Sequence, residues 1–182
     1  MNTPQIAYHA VTERPMFAGQ ILRFDHTSTT GVARRVHEKL NAVEQIYAHP
    51  DRYNAEALEH HTRVALRELA LEEIRQMKYS HLPSRLNSLY VSETLEEAEV
   101  WAQSFIRWQR PTFQIVRVAL HGRVFTGDAH NCFAASTSRQ TNLLLAERYW
   151  QNLPNLHNLP PVREILADGT IEVLEIVKKI RD

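Results

Sequence analysis

Apolar and polar positions change period several times along the chain, and each change marks an element. The run IAYHAV (residues 6–11) is short and β-prone, closes on TERP, and reads as a strand; QILRF (20–24) follows the turn residue Gly19 and reads as a second, with imperfect alternation. From residue 31 the period lengthens. Val32, Val36, Leu40, Val43 and Tyr47 recur at three-to-four spacing with Arg34, Arg35, Glu38 and Lys39 between them, which predicts an amphipathic helix over 31–49 ended by Pro50. A longer helix is predicted over 55–79 with Leu58, Ala65, Leu69 and Met77 as its stripe, so that residues 31–83 form a helical block between two β regions.

Short apolar runs return at SLYVS (88–92), a strand. A helix over 94–109 follows, its start marked by Thr94 with Glu97 three residues on, the capping-box pattern. FQIVRVAL (113–120) and RVFTG (123–127) flank HG and predict a hairpin. A helix over 137–153 and the proline-punctuated LPNLHNLPP come next, and VREIL and TIEVLEIV flank ADG as a terminal hairpin. The order ββ-αα-βα-ββ-α-ββ predicts an α+β fold with a mixed or antiparallel sheet rather than a doubly wound one. No repeat, low-complexity segment or linker interrupts it, and 182 residues at 43% hydrophobic suit one domain over 1–182.

Composition removes several function classes. With 21 Lys plus Arg against 21 Asp plus Glu, no global field draws the chain to nucleic acid or anionic lipid. The single cysteine, Cys132, forms no intrachain disulfide. The N-terminus lacks the basic and apolar regions of a secretion signal, and no apolar run approaches the roughly 20 residues of a spanning helix, so a cytoplasmic protein without a membrane partner is expected. The five glycines make neither G-x-G-x-x-G nor a phosphate-cradling loop. Of the ten histidines, His60 and His61 are adjacent and diverge by about 100° on a helix; without an H-x-x-x-H or C-x-x-C pattern no metal site is expected. Cys132 with His130 in HNCF is a nucleophile candidate, against which stands the small buried hydrophobe that a lone cysteine usually is.

Three separated stretches resemble the signature strands of the ADP-ribosyltransferase superfamily. YHAVTERPMFAGQIL (8–22) resembles the opening Tyr-His-x-x-Thr and Gly-containing turn of its histidine-bearing branches, the rifampin ADP-ribosyltransferases among them. LYVSETLEEAEVWAQSF (89–105) resembles the second motif, in which an aromatic and a small hydroxyl residue end a strand before an Ala-containing helix. REILADGTIEVLEIV (163–177) resembles the third, in which a glutamate precedes two aliphatics and a turn ending Gly-Thr. With the inserted helical block, the whole pattern is also similar to a small bacterial family known only as a domain of unknown function.

The resemblance implies a split β-sheet core of ADP-ribosyltransferase type and an enzyme that transfers ADP-ribose from NAD. It implies a catalytic set of Glu164, Tyr90 and His9, with His9, Thr12, Tyr90 and Ser92 holding NAD as substrate and no metal. The chemistry suits these residue types. Breaking the nicotinamide–ribose bond passes through an oxocarbenium-like state that a carboxylate stabilises, which suits Glu164. A flat nicotinamide cation packs on an aromatic face, which suits Tyr90. His9 and Thr12 suit hydrogen bonds to ribose hydroxyls and the carboxamide region, with the imidazole neutral. Ser92 suits a bond to the carboxylate or a ribose hydroxyl.

Plainer readings stand beside these. Tyr8 and Tyr90 are also candidate core aromatics, and Tyr8 reads better as one. Glu164 is also a candidate solvated strand carboxylate. Asp128 is the alternative acid: GRVFTGDAHN (122–131) resembles the segment that carries the carboxylate in the rifampin-modifying branch, whereas Asp128 beside Gly127, with Asn131, is also turn chemistry. Position 162 is Val, where many protein-modifying members carry Gln or Glu, and the acceptor stays unknown. A non-catalytic nucleotide- or partner-binding module remains open, as does a phosphotransferase-type relative acting on an RNA end, for which Arg14, Arg85 and Arg163 are the flanking cations.

Overall fold

Over residues 4–28 and 30–181, which the computed structural model describes, the chain forms two antiparallel sheets and five α-helices. In chain order the strands are β1 Gln5–Val11, β2 Ile21–Phe24, β3 Leu89–Val91, β4 Gln114–His121, β5 Val124–Asp128, β6 Arg163–Ala167 and β7 Gly169–Lys179. The helices are α1 Gly31–His37, α2 Leu40–Ala48, α3 His60–Lys78, α4 Leu95–Arg107 and α5 Arg139–Trp150. The chain divides into two compact units, residues 1–28, 88–126 and 164–182 in one, and 29–87 and 127–163 in the other.

The first unit holds most of the sheet structure. One sheet runs β1-β4-β7-β2, the other β3-β6-β5. Alternation along the strands sorts their side chains: Ala7 and Val11 of β1, Val116, Val118 and Leu120 of β4, and Ile171 and Val173 of β7 meet Leu89, Val91, Ile165 and Ala167 of the second sheet in one core. Each such Val, Leu or Ile side chain removed from water contributes about 1.5–3 kcal/mol. On the opposite face of β1 and β4, Ala10 and Ile115 pack against Ala98 and Ala102 of α4. Helix α4 starts as its sequence predicts: Thr94 Oγ1 accepts from Glu97 N at 3.2 Å, and the Glu97 carboxylate accepts from Thr94 N at 3.4 Å.

Neither expected hairpin forms. β4 and β5 follow one another in sequence but lie in different sheets, as do β6 and β7. HG and ADG are therefore corners where the chain leaves one sheet for the other, and the two corners interlock. Asp168 N donates to Arg123 O at 3.1 Å, Arg123 N donates to Asp168 Oδ1 at 3.0 Å, and Arg123 Nε donates to Asp168 Oδ2 at 3.0 Å. A Cβ built on Gly122 would sit 2.0 Å from Asp168 O, and Gly169 holds φ +81°. Corners and hairpin turns both select glycine, which is why the sequence pattern does not separate them.

The second unit is helical. The helix predicted over 31–49 is two, parted at Glu38–Lys39, where Lys39 leaves helical geometry (φ −105°, ψ 3°) and its N–H turns back to Val36 O at 3.0 Å. α3 starts at His60 rather than 55 because the Glu59 carboxylate caps the His61 and Thr62 N–H groups, at 2.9 and 3.1 Å. Ala33, Val36, Val43, Ile46, Ala65, Leu66 and Leu86 make its core. Beside them Arg85 Nε donates to Glu68 Oε2 at 2.8 Å and Arg85 Nη1 to Tyr149 Oη at 2.7 Å, with the guanidinium 4.9 Å from the Tyr149 ring centre. Burial works to raise the Glu68 pKa, but Arg85 and Arg67 outweigh it and hold the carboxyl below its ordinary value.

The corner geometry sets a stability test. Gly122→Ala forces backbone apart and should cost about 3 kcal/mol, a fall of roughly 10 °C in Tm for a chain of this size. Gly19→Ala, at φ +83° but with open space around it, should cost only about 1 kcal/mol. Equal losses in thermal denaturation of the two variants would show that the corner contact does not constrain the fold.

Candidate functional site

The three stretches that carry the candidate chemistry become three neighbouring strands of the first unit. β3 pairs with β6 antiparallel, Tyr90 opposite Leu166 and Val91 opposite Ile165. The same count sets Ser92 opposite Glu164. On its other side β3 meets β1 through a single bridge, in which Tyr8 N donates to Ser92 O at 2.9 Å and Ser92 N to Tyr8 O at 2.7 Å. The lateral order is thus β1, β3, β6. It brings His9, then Tyr90 and Ser92, then Glu164 onto adjacent backbones.

β1 and β3 part immediately beyond that bridge. In a continued antiparallel ladder the next hydrogen-bonded pair would be Ala10 with Tyr90. Instead the His9 ring takes the Tyr90 carbonyl, Nδ1 to O, at 2.7 Å. A carbonyl oxygen only accepts, so Nδ1 carries the proton and Nε2 is left as an acceptor. Burial drives the His9 pKa down, while the Tyr90 carbonyl and the nearby Glu13 carboxylate oppose it; the result is a fall from 6.5 to about 4. At neutral pH His9 is an uncharged, oriented imidazole.

The candidate residues divide between faces. His9 shares its face of β1 with the core residues Ala7 and Val11. Tyr90 and Ser92 lie on the face of β3 opposite Leu89 and Val91, and Glu164 lies on the matching face of β6, opposite Ile165 and Ala167. Tyr90, Ser92 and Glu164 are therefore together on one face, and His9 reaches this group through the Tyr90 backbone rather than the Tyr90 ring. Tyr8 packs against Ala10, Ala98 and Ala102 as a core aromatic. Thr12, one residue past β1, accepts from Arg110 Nη2 at 3.3 Å. Gln114 fixes the turn that follows, accepting from Met16 N at 2.8 Å and donating to Met16 O at 3.2 Å.

Asp128, in the second unit, has a different surrounding. Its Oδ1 accepts from His130 N and Val162 N, each at 3.0 Å, and its Oδ2 accepts from Asn155 Nδ2 at 2.7 Å. Burial pushes this carboxyl up, but the three hydrogen bonds prevail and its pKa is lowered. The carboxylate is a clasp for the segment 154–162. Asn131 is likewise a loop anchor, donating to Leu153 O at 2.7 Å. Cys132 is half-buried and its Sγ accepts from Arg85 Nη2 at 3.5 Å. Of the three flanking cations, Arg85 is buried and held by Glu68 and Tyr149, whereas Arg14 and Arg163 are exposed.

Three features escape the sequence pattern. Glu13 acts on His9 across the strand end, though TERP reads only as a strand terminator. Arg110 reaches Thr12 from 98 positions away, a pairing no local spacing signals. Ser88 Oγ is buried without a hydrogen-bond partner, two residues before Tyr90 and next to the parting of the strands. Among the described residues no three His, Cys, Asp or Glu side chains cluster as a metal site would need, and no helix is long and apolar enough to cross a membrane.

The state of His9 predicts a pH dependence. Its folded pKa, about 4, lies below the unfolded value of 6.5, so its neutral form stabilises the fold fully above pH 6.5; this contribution drains away as pH falls towards 4. The loss should reach about 2–3 kcal/mol. Chemical denaturation at pH 7 and pH 4 should show this component in wild type and lack it in His9→Gln, and the His9 ring nitrogens should titrate near pH 4 by NMR. Titration near 6.5 would contradict the half-buried, neutral ring.

No curated protein matches the chain. Residues 7–179 match the family model described as protein of unknown function (DUF2441), and since that span takes in nearly all of the sequence, the chain belongs to this family.

Proposed function

We propose that the protein is a mono-ADP-ribosyltransferase that cleaves the nicotinamide–ribose bond of NAD and passes ADP-ribose to an acceptor. One observation carries this reading: the strands bearing His9, Tyr90 with Ser92, and Glu164 are lateral neighbours, although their sequences lie some 70–80 residues apart.

The roles follow from the chemistry of each group. The C1′–N bond breaks heterolytically, nicotinamide leaves with the electron pair, and positive charge spreads over the ribose C1′ and ring oxygen. Glu164 stabilises that charge and orients the ribose with Ser92, on whose strand face it lies. The Tyr90 ring stacks on nicotinamide. His9 accepts a ribose hydroxyl at Nε2; Tyr90 O holds its tautomer, so no proton transfer is asked of it. The acceptor nucleophile then attacks C1′ and loses its proton. A non-catalytic binding module on the same fold is the competing reading. The RNA-end reading is weaker, because Arg85 is committed to an internal ion pair.

Glu164→Gln keeps the shape and removes the charge. NAD affinity should stay within about twofold while nicotinamide release slows roughly a hundredfold or more. Asp128→Asn should leave turnover nearly unchanged, because its carboxylate serves the 154–162 segment. Single-turnover nicotinamide release from wild type and both variants decides between the acids: a slow Asp128 variant beside a normal Glu164 variant moves the catalytic role to Asp128. A wild type that binds NAD but never releases nicotinamide supports the binding module.

A further inference from the structure

The second unit holds a cleft that no part of the catalytic assignment uses. It measures about 270 Å³ and is lined by His60, Arg63 and Arg67 of α3 together with Glu56, Ala134 and Ala135. The helical period gathers the three α3 side chains. Steps of three and four residues put each about 5–6 Å from the next at Cβ, on one face of the helix. Two guanidiniums set four residues apart repel one another, and an anion held between them relieves that repulsion.

Arg67 is half-buried and oriented. Its Nε donates to Glu68 Oε1 at 3.0 Å, while Arg85 Nε takes Glu68 Oε2 at 2.8 Å, so one carboxylate serves two guanidiniums. The Nη groups of Arg67 have no hydrogen-bond partner among the described residues. Burial works against the charge of Arg67, but Cys132 and Glu68 outweigh it and its pKa is raised. Arg63 is exposed and forms no ion pair among the described residues. The apolar lining is Val64, Ala134 and Ala135, of which Ala135 packs against the core of the unit. Glu56 is the one carboxylate among the lining residues; it repels an anion but accepts from hydroxyl groups. The volume falls below the roughly 300–1,000 Å³ of pockets for drug-sized ligands, which leaves no room for a dinucleotide.

We infer that this cleft binds a small polyol or sugar phosphate, Arg63 and Arg67 taking the phosphate and Glu56 accepting from a hydroxyl of the stem. Two guanidiniums suit the nearly double charge of a phosphate monoester better than the single charge of a carboxylate. The inference is independent of the NAD reading, because all of its residues belong to the second unit and the NAD residues to the first.

Calorimetric titrations with glycerol phosphate, inorganic phosphate and acetate test it on the full chain. Wild type should bind glycerol phosphate at millimolar concentration or below, and acetate roughly tenfold more weakly. Arg63→Gln and Ala134→Leu replace exposed side chains, so both variants should fold with an unchanged Tm. Arg63→Gln should weaken both phosphates roughly tenfold or more. Ala134→Leu fills the cleft and should weaken glycerol phosphate to a similar extent. Arg181→Gln, which removes an exposed cation of the first unit, should change neither. Glu56→Ala should weaken glycerol phosphate while strengthening inorganic phosphate. No binding of either phosphate to wild type at millimolar concentration would overturn the inference, as would unchanged affinity in Arg63→Gln. Equal losses in Arg63→Gln and Arg181→Gln would overturn it too, as the sign of general charge attraction. Acetate bound as tightly as phosphate would overturn the ligand class, and tighter binding of both phosphates by Glu56→Ala would overturn the hydroxyl-bearing stem.

Discussion

The interlocked corners at Gly122 and Asp168–Gly169 are the constraint on which the first unit depends. Two consecutive strand pairs, β4 with β5 and β6 with β7, each leave one sheet for the other at the same place, and there the backbones approach too closely for any Cβ. Had each pair closed as a hairpin, β6 would lie beside β7. The crossing instead frees an edge of β6 for β3, and so puts the third motif next to the second. The Arg123–Asp168 contacts satisfy the polar groups that such an approach would otherwise strand: Asp168 N donates to Arg123 O, the Asp168 carboxylate accepts from Arg123 N, and a charge-assisted bond joins the side chains. Thus a packing requirement at glycine governs which chemical groups become neighbours some distance away.

A second consequence concerns the parting of β1 from β3. An open seam leaves ladder groups unsatisfied unless side chains replace the lost partners. His9 does so for the Tyr90 carbonyl, and the exchange alters its own chemistry: a half-buried ring committed at Nδ1 is neutral, with its remaining nitrogen an acceptor. A protonated histidine would be a donor at both nitrogens and would repel a nicotinamide cation. The pKa of about 4 therefore serves the same end in the fold and in the proposed chemistry, through one hydrogen bond.

Much of the fold was legible because it is written in local periodicity. The capping box at Thr94 and Glu97 and the stripes of the helical segments are short-range signals, and each element forms close to where its pattern puts it. The α+β class with antiparallel pairing followed from their order. Strand pairing was less legible. Gly122 and Gly169 announce a sharp change of direction, which both a hairpin and a sheet-to-sheet corner require, and only the contact between the corners distinguishes them. The break at Glu38–Lys39 was hidden because the apolar spacing runs through it unchanged. For the candidate site, His9, Tyr90, Ser92 and Glu164 could be named from sequence, but the fact that His9 meets a backbone carbonyl rather than a ring could not. Arg110 was invisible, since a pairing across 98 positions leaves no trace in spacing.

The two candidate acids differ in what their surroundings leave them able to do. A carboxylate that is to stabilise a developing cation needs oxygen lone pairs pointed at the reacting carbon, and a charge not already neutralised by other donors. Asp128 accepts three hydrogen bonds from the segment it fastens, two of them from backbone N–H groups that cannot move away without unravelling that segment. Recruiting it to a ribose would mean breaking them, at a cost of about 1–3 kcal/mol for each donor left unpaired. Glu164 sits at the start of a strand, beside Ser92 and on the face of Tyr90, where a substrate would meet an aromatic, a hydroxyl and a carboxylate together. Pinning of this kind is what a structural aspartate requires. The bonds that hold Asp128, more than its sequence context, are the physical ground for setting it second to Glu164 in the proposed chemistry.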